Sequence, residues 1–216
     1  MEGYFEQIFT SLNPSDFSNI LSSIQKVVGE NDRDHLDGDF QACEVKEALN
    51  EMAPLTAPGP NGMSPIFYKS FWHIVGENVT AVVLRALNSG IVPESLNTTF
   101  ITLIPKIKNP KKVSNFRPIS PCNVIYKLIA KVVANRLKKF LANAVPNSQS
   151  AFLSGRLISD NILVAFENLH YLKRKTKGKM GFMALKLDMS KAYDRVEWGF
   201  LEAIMQYLGQ IGRAHV

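Results

Sequence analysis

GFMALKLDMSKAYDRVEW, residues 181–198, changes period halfway along. In its first half Met183, Leu185, Leu187 and Met189 alternate with Phe182, Ala184, Lys186 and Asp188, the two-residue repeat of a strand with one buried face. In its second half Val196, Phe200, Ile204 and Leu208 recur at helical spacing, and Asp194 followed three residues later by Glu197 reads as a capping box. Strand, turn and helix is therefore the expected order, with Asp188 at the strand's end on the rim of a sheet. A carboxylate there can cap the following turn, or it can share Mg²⁺, a hard ion with oxygen ligands, with a substrate phosphate. A phosphotransferase aspartate is a third reading, but that chemistry wants a second acid two residues on, where Ser190 stands.

Composition sets the frame for this stretch. The 216 residues are 46% hydrophobic and 20% charged, ordinary globular material with enough length for one sizeable core or two small ones. An excess of 25 Lys+Arg over 19 Asp+Glu gives +6 and a pI near 9.3, which suits a polyanionic partner. Cys43 and Cys122 are far apart and lack metal spacing, so reduced thiols in a cytosolic or nuclear protein are expected. Four scattered histidines give a zinc site no support. The start MEGYFEQIF has neither a basic n-region nor a long apolar h-region, and no apolar stretch reaches membrane-spanning length. A protein that is not secreted and makes no membrane contact is the expectation.

Taken in order, residues 1–39 read as a linker and helical region. Short helices over Tyr4 to Leu12 and Phe17 to Val28 flank Asn13-Pro14-Ser15, and the acidic loop Asn31 to Asp39 follows. That loop reads as a solvated linker. An EF-hand is excluded because Leu36 stands where a ligand is wanted and Cys43 where the closing Glu belongs. A helix is expected at Ala42 to Met52, with Gln41 as a weak cap. The run Ala57-Pro58-Gly59-Pro60-Asn61-Gly62 is turn chemistry throughout. A helix over Pro65 to Asn88, with Phe71, Val75, Val79, Val82 and Leu87 facing a core, stops at Gly90. Thr98 to Ile104 reads as a strand closed by Pro105. Beyond it the chain turns basic at Lys106, Lys108, Lys111, Lys112 and Arg117. Asn123 to Val145 is the clearest helix, with Ile125, Ile129, Val132, Leu137, Phe140 and Leu141 at helical spacing. A helix from Ser159 to Lys173 presents Ile162, Phe166, Leu169 and Leu172, and a basic loop to Lys179 leads back to the opening stretch.

Several blocks, in order, resemble the reverse transcriptases of non-LTR (LINE-type) retrotransposons, in their plant-like form especially. LKLDMSKAYDRVEW resembles the first catalytic motif. APGPNG followed by SPIFYKSFW resembles the block before the fingers, with Asn61 in place of the customary Asp. LIPKIKNPKKVSNFRPIS resembles the fingers hairpin, and QSAFLSGR a template-side segment. The resemblance covers residues 40–209. It implies an α+β fold, the incomplete fingers and palm of a right-hand polymerase, helix-rich with a partial antiparallel palm sheet. It further implies two-metal nucleotidyl transfer with Mg²⁺ (or Mn²⁺), an RNA template, a DNA primer and dNTP.

Carried over residue by residue, the resemblance makes Asp188 a catalytic and metal-binding carboxylate and gives the main-chain carbonyl of Met189 to a metal. Lys106 and Arg117 would reach the triphosphate or the adjoining template, and the amides of Lys191 and Ala192 would face the triphosphate. Tyr193 would be the aromatic gate against a ribose 2′-hydroxyl. Phe152, Gly155 and Arg156 would lie along the template.

The sequence holds no Asp-Asp pair, so the second carboxylate block of such polymerases is expected outside it, together with the rest of the palm, the thumb and an upstream endonuclease. The chain alone should not polymerise, because one aspartate cannot hold two metals. Residues 210–216 (QIGRAHV) read as an in-frame translation of a sequencing-library adapter and are expected to be a non-native tail. The competing reading is a non-catalytic basic remnant that binds RNA or DNA.

Overall fold

In this computed structural model the chain is described over residues 2–24, 29, 34, 36–151, 153, 155–178, 181–189 and 192–209. Its helices are α1 (Glu2–Phe9), α2 (Ser18–Leu21), α3 (Ala42–Glu51), α4 (Pro65–Ser70), α5 (Trp72–Ser89) and α6 (Glu94–Asn97), followed by α7 (Val124–Ala144), α8 (Ile158–Arg174) and α9 (Trp198–Leu208). Strands β1 (Thr102–Pro105) and β2 (Phe116–Ile119) form an antiparallel pair.

Three apolar stripes make the core. Helix α3 contributes Val45, Ala48 and Leu49, α5 contributes Val79, Val83, Ala86 and Leu87, and α7 contributes Val124, Leu128, Ile129 and Val132. These spacings of three, four and seven put each set on one helical face, and the three helices pack on one another with Phe40 and Tyr68 between them. Each fully buried Val or Leu is worth about 1.5–3 kcal/mol of transfer free energy. On α5 Val79 and Leu87 are buried as expected and Val75 packs against the core, but Val83 is buried where Val82 was expected, and Phe71 is 45% exposed. Phe71, with φ −105 and ψ 22, interrupts what reads in sequence as one helix. Just after it, Gly76 lets the Trp72 ring lie close, since a Cβ there would sit 2.7 Å from the indole.

The helix ends are closed by side chains from elsewhere. Glu44 supplies what Gln41 was expected to lack at the start of α3, its carboxylate accepting the Gln41 N–H at 2.8 Å. At the other end Lys69 Nζ donates to the carbonyls of Asn50 at 2.9 Å and Met52 at 2.7 Å, a cation at the negative pole of the helix. Helix α5 ends at Gly90 in the left-handed region, φ 70, as its sequence predicts.

Arg136 locks α7 to α3. It continues the four-residue series Val124, Leu128, Val132 and is itself buried. Its guanidinium donates to both Glu44 oxygens at 2.6 and 2.7 Å, to the Asp39 carbonyl at 2.9 Å and to the carbonyls of Gly38 and Leu36, while lying 3.7 Å from the Phe40 ring centroid. Residues 36–40 are thus part of the fold, not the solvated linker that the acidic run implied.

Two further expectations fail in the C-terminal part. Residues 181–189 carry no regular secondary structure, and Leu187 is 83% exposed. A strand exists through hydrogen bonds to a neighbour, and among the described residues none pairs with this stretch. The only sheet among them is β1–β2, which leaves a helix-rich α+β arrangement with one small antiparallel sheet to which residues 181–189 add no strand. Helix α8 likewise buries none of its residues; Ile162, Phe166 and Leu169 all face solvent. No helix of the described residues is long and apolar enough to cross a membrane.

Candidate functional site

The basic segment folds back as a hairpin whose register decides which cations meet. Thr102 pairs with Ile119, Leu103 with Pro118, Ile104 with Arg117 and Pro105 with Phe116, and the Lys106 N–H extends the ladder to the Asn115 carbonyl at 2.7 Å. The strand begins at Thr102, four residues later than the Thr98 start expected from sequence. Directly opposed residues share a face, and faces alternate along each strand. Leu103, Phe116 and Pro118 therefore form the half-buried side, whereas Ile104, Lys106 and Arg117 share the exposed one. Lys106 and Arg117 are diagonal neighbours there. Lys106 Nζ donates to the Ser114 carbonyl at 3.2 Å. Among the described residues the Arg117 side chain makes no hydrogen bond or ion pair, so its planar fork is open to a ligand.

Asp188 lies in the irregular stretch 181–189 and is exposed, as is Met189. The stretch is tethered at its start, where Lys175 Nζ sits 3.6 Å from the Phe182 ring centroid and Tyr171 meets that ring edge-on at 6.4 Å. Among the described residues no hydrogen bond or ion pair joins Asp188 to Lys106, Arg117 or Tyr193. Nor does any group of three or more His, Cys, Asp or Glu side chains offer a metal site. Ala192 and Tyr193 belong to a 3₁₀ turn, Ala192–Arg195, from which Tyr193 projects with 79% of its surface exposed. Lys191 and Phe152 lie outside the described residues.

The expected capping box at Asp194 is not formed. Asp194 sits within the 3₁₀ turn, and α9 starts only at Trp198 with Glu197 in the N-cap position. The Glu197 carboxylate is taken by the N-terminal arm: it accepts the Ser11 hydroxyl and, at 3.3 Å, the Leu12 N–H. The Phe17 and Phe200 rings add a contact at 5.3 Å. Between the arm and the turn runs an open cleft of about 620 Å³ whose lining includes Gln7, Thr10, Tyr193, Arg195 and Trp198.

On the template-side segment, Gly155 adopts φ 79, a conformation that favours glycine. Arg156 donates to the carbonyls of Pro146 at 2.6 Å, Gln149 at 2.8 Å and Val145 at 3.2 Å. Its charge closes the turn that follows α7. Beside it Ser150 is buried with its hydroxyl 3.1 Å from Asn161 Oδ1.

The turn run at 57–62 is anchored to the start of α7. Lys127 Nζ donates to the Ala57 carbonyl at 2.6 Å, and the Asn61 N–H donates to Asn123 Oδ1 at 3.3 Å. Gly59 passes so close that a Cβ would lie 2.4 Å from the Asn123 nitrogen. In sequence Lys127 and Lys131 stand off the apolar stripe of α7 and read as a solvated face or as charges beside a template; here Lys127 holds that loop and Lys131 pairs with Glu51 at 2.7 Å. That pairing holds the Glu51 carboxyl below its usual range. Arg136, Glu44 and the Ser11–Glu197 contact were not foreseen. Arg136 leaves one trace in sequence, a basic residue at the next position of an apolar four-residue series.

Comparison with known proteins finds likeness over much of the chain. The family described as Reverse transcriptase (RNA-dependent DNA polymerase) matches residues 107–209. The "Transposon TX1 uncharacterized 149 kDa protein" of Xenopus laevis is 32% identical over 83% of this chain and 14% of its own length. A retrovirus-related Pol polyprotein from the type-1 retrotransposable element R2 of Nasonia vitripennis is 27% identical over 71% of this chain and 14% of its own. The corresponding polyprotein of the type-2 element R2DM of Drosophila melanogaster is 26% identical over 90% and 17%. The chain thus spans about one seventh of the length of these relatives. They come from a frog and two insects, so the plant-like affinity stays an expectation.

Proposed function

Because residues 107–209 belong to the reverse transcriptase family, in the form found in non-LTR retrotransposon proteins, we propose that residues 40–209 are the fingers and the start of the palm of an RNA-directed DNA polymerase. The enzyme copies an RNA template onto a DNA primer from deoxynucleoside triphosphates, and this chain is one part of a longer retrotransposon protein. The observation that carries this reading is the pairing of Ile104 with Arg117, which gives Lys106 and Arg117 a common exposed face beside each other. A planar guanidinium grips phosphate oxygens in two places and an ammonium adds a mobile charge, so the pair suits a triphosphate. Lys108, Lys111 and Lys112 attract the nucleic-acid backbone without reading bases.

Asp188 is the catalytic carboxylate in this reading, the Met189 carbonyl a metal ligand, Tyr193 the gate against the 2′-hydroxyl, and the amides of Lys191 and Ala192 the cradle of the triphosphate. Phe152, Gly155 and Arg156 shape the template path, Arg156 by holding its loop. Reverse transcriptases use divalent ions, here Mg²⁺ or Mn²⁺. Asp188 offers one carboxylate, whereas a metal pair needs several. The donor set of the described residues does not fit a metal pair, and the further carboxylates belong to the longer protein. Residues 1–39 precede the polymerase part, and 210–216 are a non-native tail that lies outside the described residues.

The test joins residues 1–209 to the rest of the parent reading frame and follows extension of a DNA primer on an RNA template. Asp188→Ala should abolish incorporation while leaving RNA binding unchanged. Lys106→Ala and Arg117→Ala should each raise the KM for dNTP about tenfold. RNA binding without any incorporation by the unsubstituted protein would instead establish a non-catalytic remnant.

A further inference from the structure

The N-terminal arm grips the turn that follows Asp188 from 185 positions away. Its shape is locally prepared: the Asn13 N–H donates to Ser11 Oγ at 2.8 Å, and Asn13 itself turns the chain at φ 48. That bend aims the Ser11 hydroxyl and the Leu12 N–H at the two separate oxygens of Glu197. Apolar contacts flank the polar latch. Phe5 is buried and stacks near Phe9 at 6.2 Å on one side, and Phe17 meets Phe200 on the other. Glu197 occupies the N-cap position of α9, where the helix dipole favours a carboxylate.

We infer that residues 7–17 are a clasp and that Glu197 is its latch, a positioning residue that fixes the Ala192–Arg195 turn and thereby Tyr193. The clasp stands on these contacts alone; its consequence for sugar selection rests on the reading of Tyr193 as the gate. The latch is also a charge-sensitive switch. A negative group on Ser11, such as a phosphate, removes the hydroxyl donor and sets like charges face to face, so it opens the clasp.

Amide hydrogen exchange on the 216-residue chain, without nucleotide, tests this directly. Glu197→Gln and Ser11→Asp should each speed exchange at Leu12 about fivefold, the yield of an exposed hydrogen bond to a charged acceptor. The same change should spread to the amides of residues 192–195, which neither substitution touches. Ser11→Asp combined with Glu197→Lys should restore protection at residues 192–195 but not at Leu12, because an ammonium accepts no hydrogen bond, and peptides 79–87 and 124–132 should be indifferent throughout. Full exchange at Leu12 in the unsubstituted chain, or residues 192–195 that ignore both single substitutions, overturns the clasp. The gate reading of Tyr193 fails on a different result, namely Tyr193→Ala in the complete polymerase leaving ribonucleotides still excluded, and the polymerase reading on the absence of incorporation.

Discussion

Replacing Arg136 by Met should remove a large part of the stability of the helical core. The guanidinium is 7% exposed and its partner Glu44 23%, so the pair is desolvated on one side and near water on the other. Five donated bonds disappear: two to Glu44 and one each to the carbonyls of Asp39, Gly38 and Leu36. Breaking a buried pair by removing one partner costs about 3–5 kcal/mol. Glu44 can turn partly to water, and the Gly38 and Asp39 carbonyls belong to exposed residues, which puts the expected cost near the lower bound, about 3 kcal/mol. Against a total of about 5–15 kcal/mol for a domain, that is roughly a hundredfold shift in the folded-to-unfolded ratio. Urea unfolding followed by circular dichroism at 222 nm reads it as a fall in midpoint at constant slope. Glu44→Gln should cost less, and the double variant less than the sum of the two, because the second substitution removes a charge that the first has orphaned. Arg136→Lys should recover only part, since one ammonium cannot reproduce the fork. A cost for Arg136→Met below about 1 kcal/mol, or a lysine variant as stable as the parent, would refute the idea that this guanidinium fastens α3 to α7.

Three further outcomes follow from the geometry. Gly59→Ala should destabilise by about 1–3 kcal/mol in the same assay, because the new methyl meets main-chain atoms of Asn123 at 2.4 and 2.5 Å that have no soft way to yield. Glu51 titrates below its usual range because Lys131 donates to it; its stabilisation is therefore complete above the unfolded carboxylate pKa and lost as the pH falls through the lower folded value. Both side chains are a third or more exposed, so Lys131→Met should cost only about 0.2–1 kcal/mol at pH 7, and nothing once acid has protonated Glu51. Finally, Ile162→Gln with Phe166→Gln should lower dye binding to exposed apolar surface and reduce self-association by light scattering, because the stripe they interrupt on α8 has no cover among the described residues.

The parts of the fold that sequence revealed are those whose causes are local. Helix α7 was legible within one residue at each end because a long stripe and Pro146 mark it, and α3 likewise. Of the hairpin, the apolar run before Pro105 marked β1, whose start was set four residues early; the hairpin itself was expected from the family resemblance alone, and its register comes from the structure. What escaped depends on distant partners. Alternation in residues 181–189 signals a strand only if a neighbour supplies hydrogen bonds. The one misassigned valine on α5 came from adjacent residues, Val82 and Val83, between which hydropathy cannot choose. Glu197 three residues after Asp194 fits a capping box equally well whether or not the arm claims its carboxylate. Of the candidate site, the motifs named Asp188, Lys106, Arg117 and Tyr193. Their meeting in space was not legible, and the described residues join only Lys106 and Arg117.

The order of the chain gives the three-helix core a head start in time. All thirteen residues of the buried cluster lie between Phe40 and Val132, 56 positions before Asp188 leaves the ribosome's catalytic centre. At about 5–20 residues per second of synthesis, that interval lasts roughly 3–11 s. Helices and hairpins form in about microseconds. The platform that fixes Gly59 and Asn123 can therefore be assembled on the nascent chain while the segment bearing Asp188 is still being made.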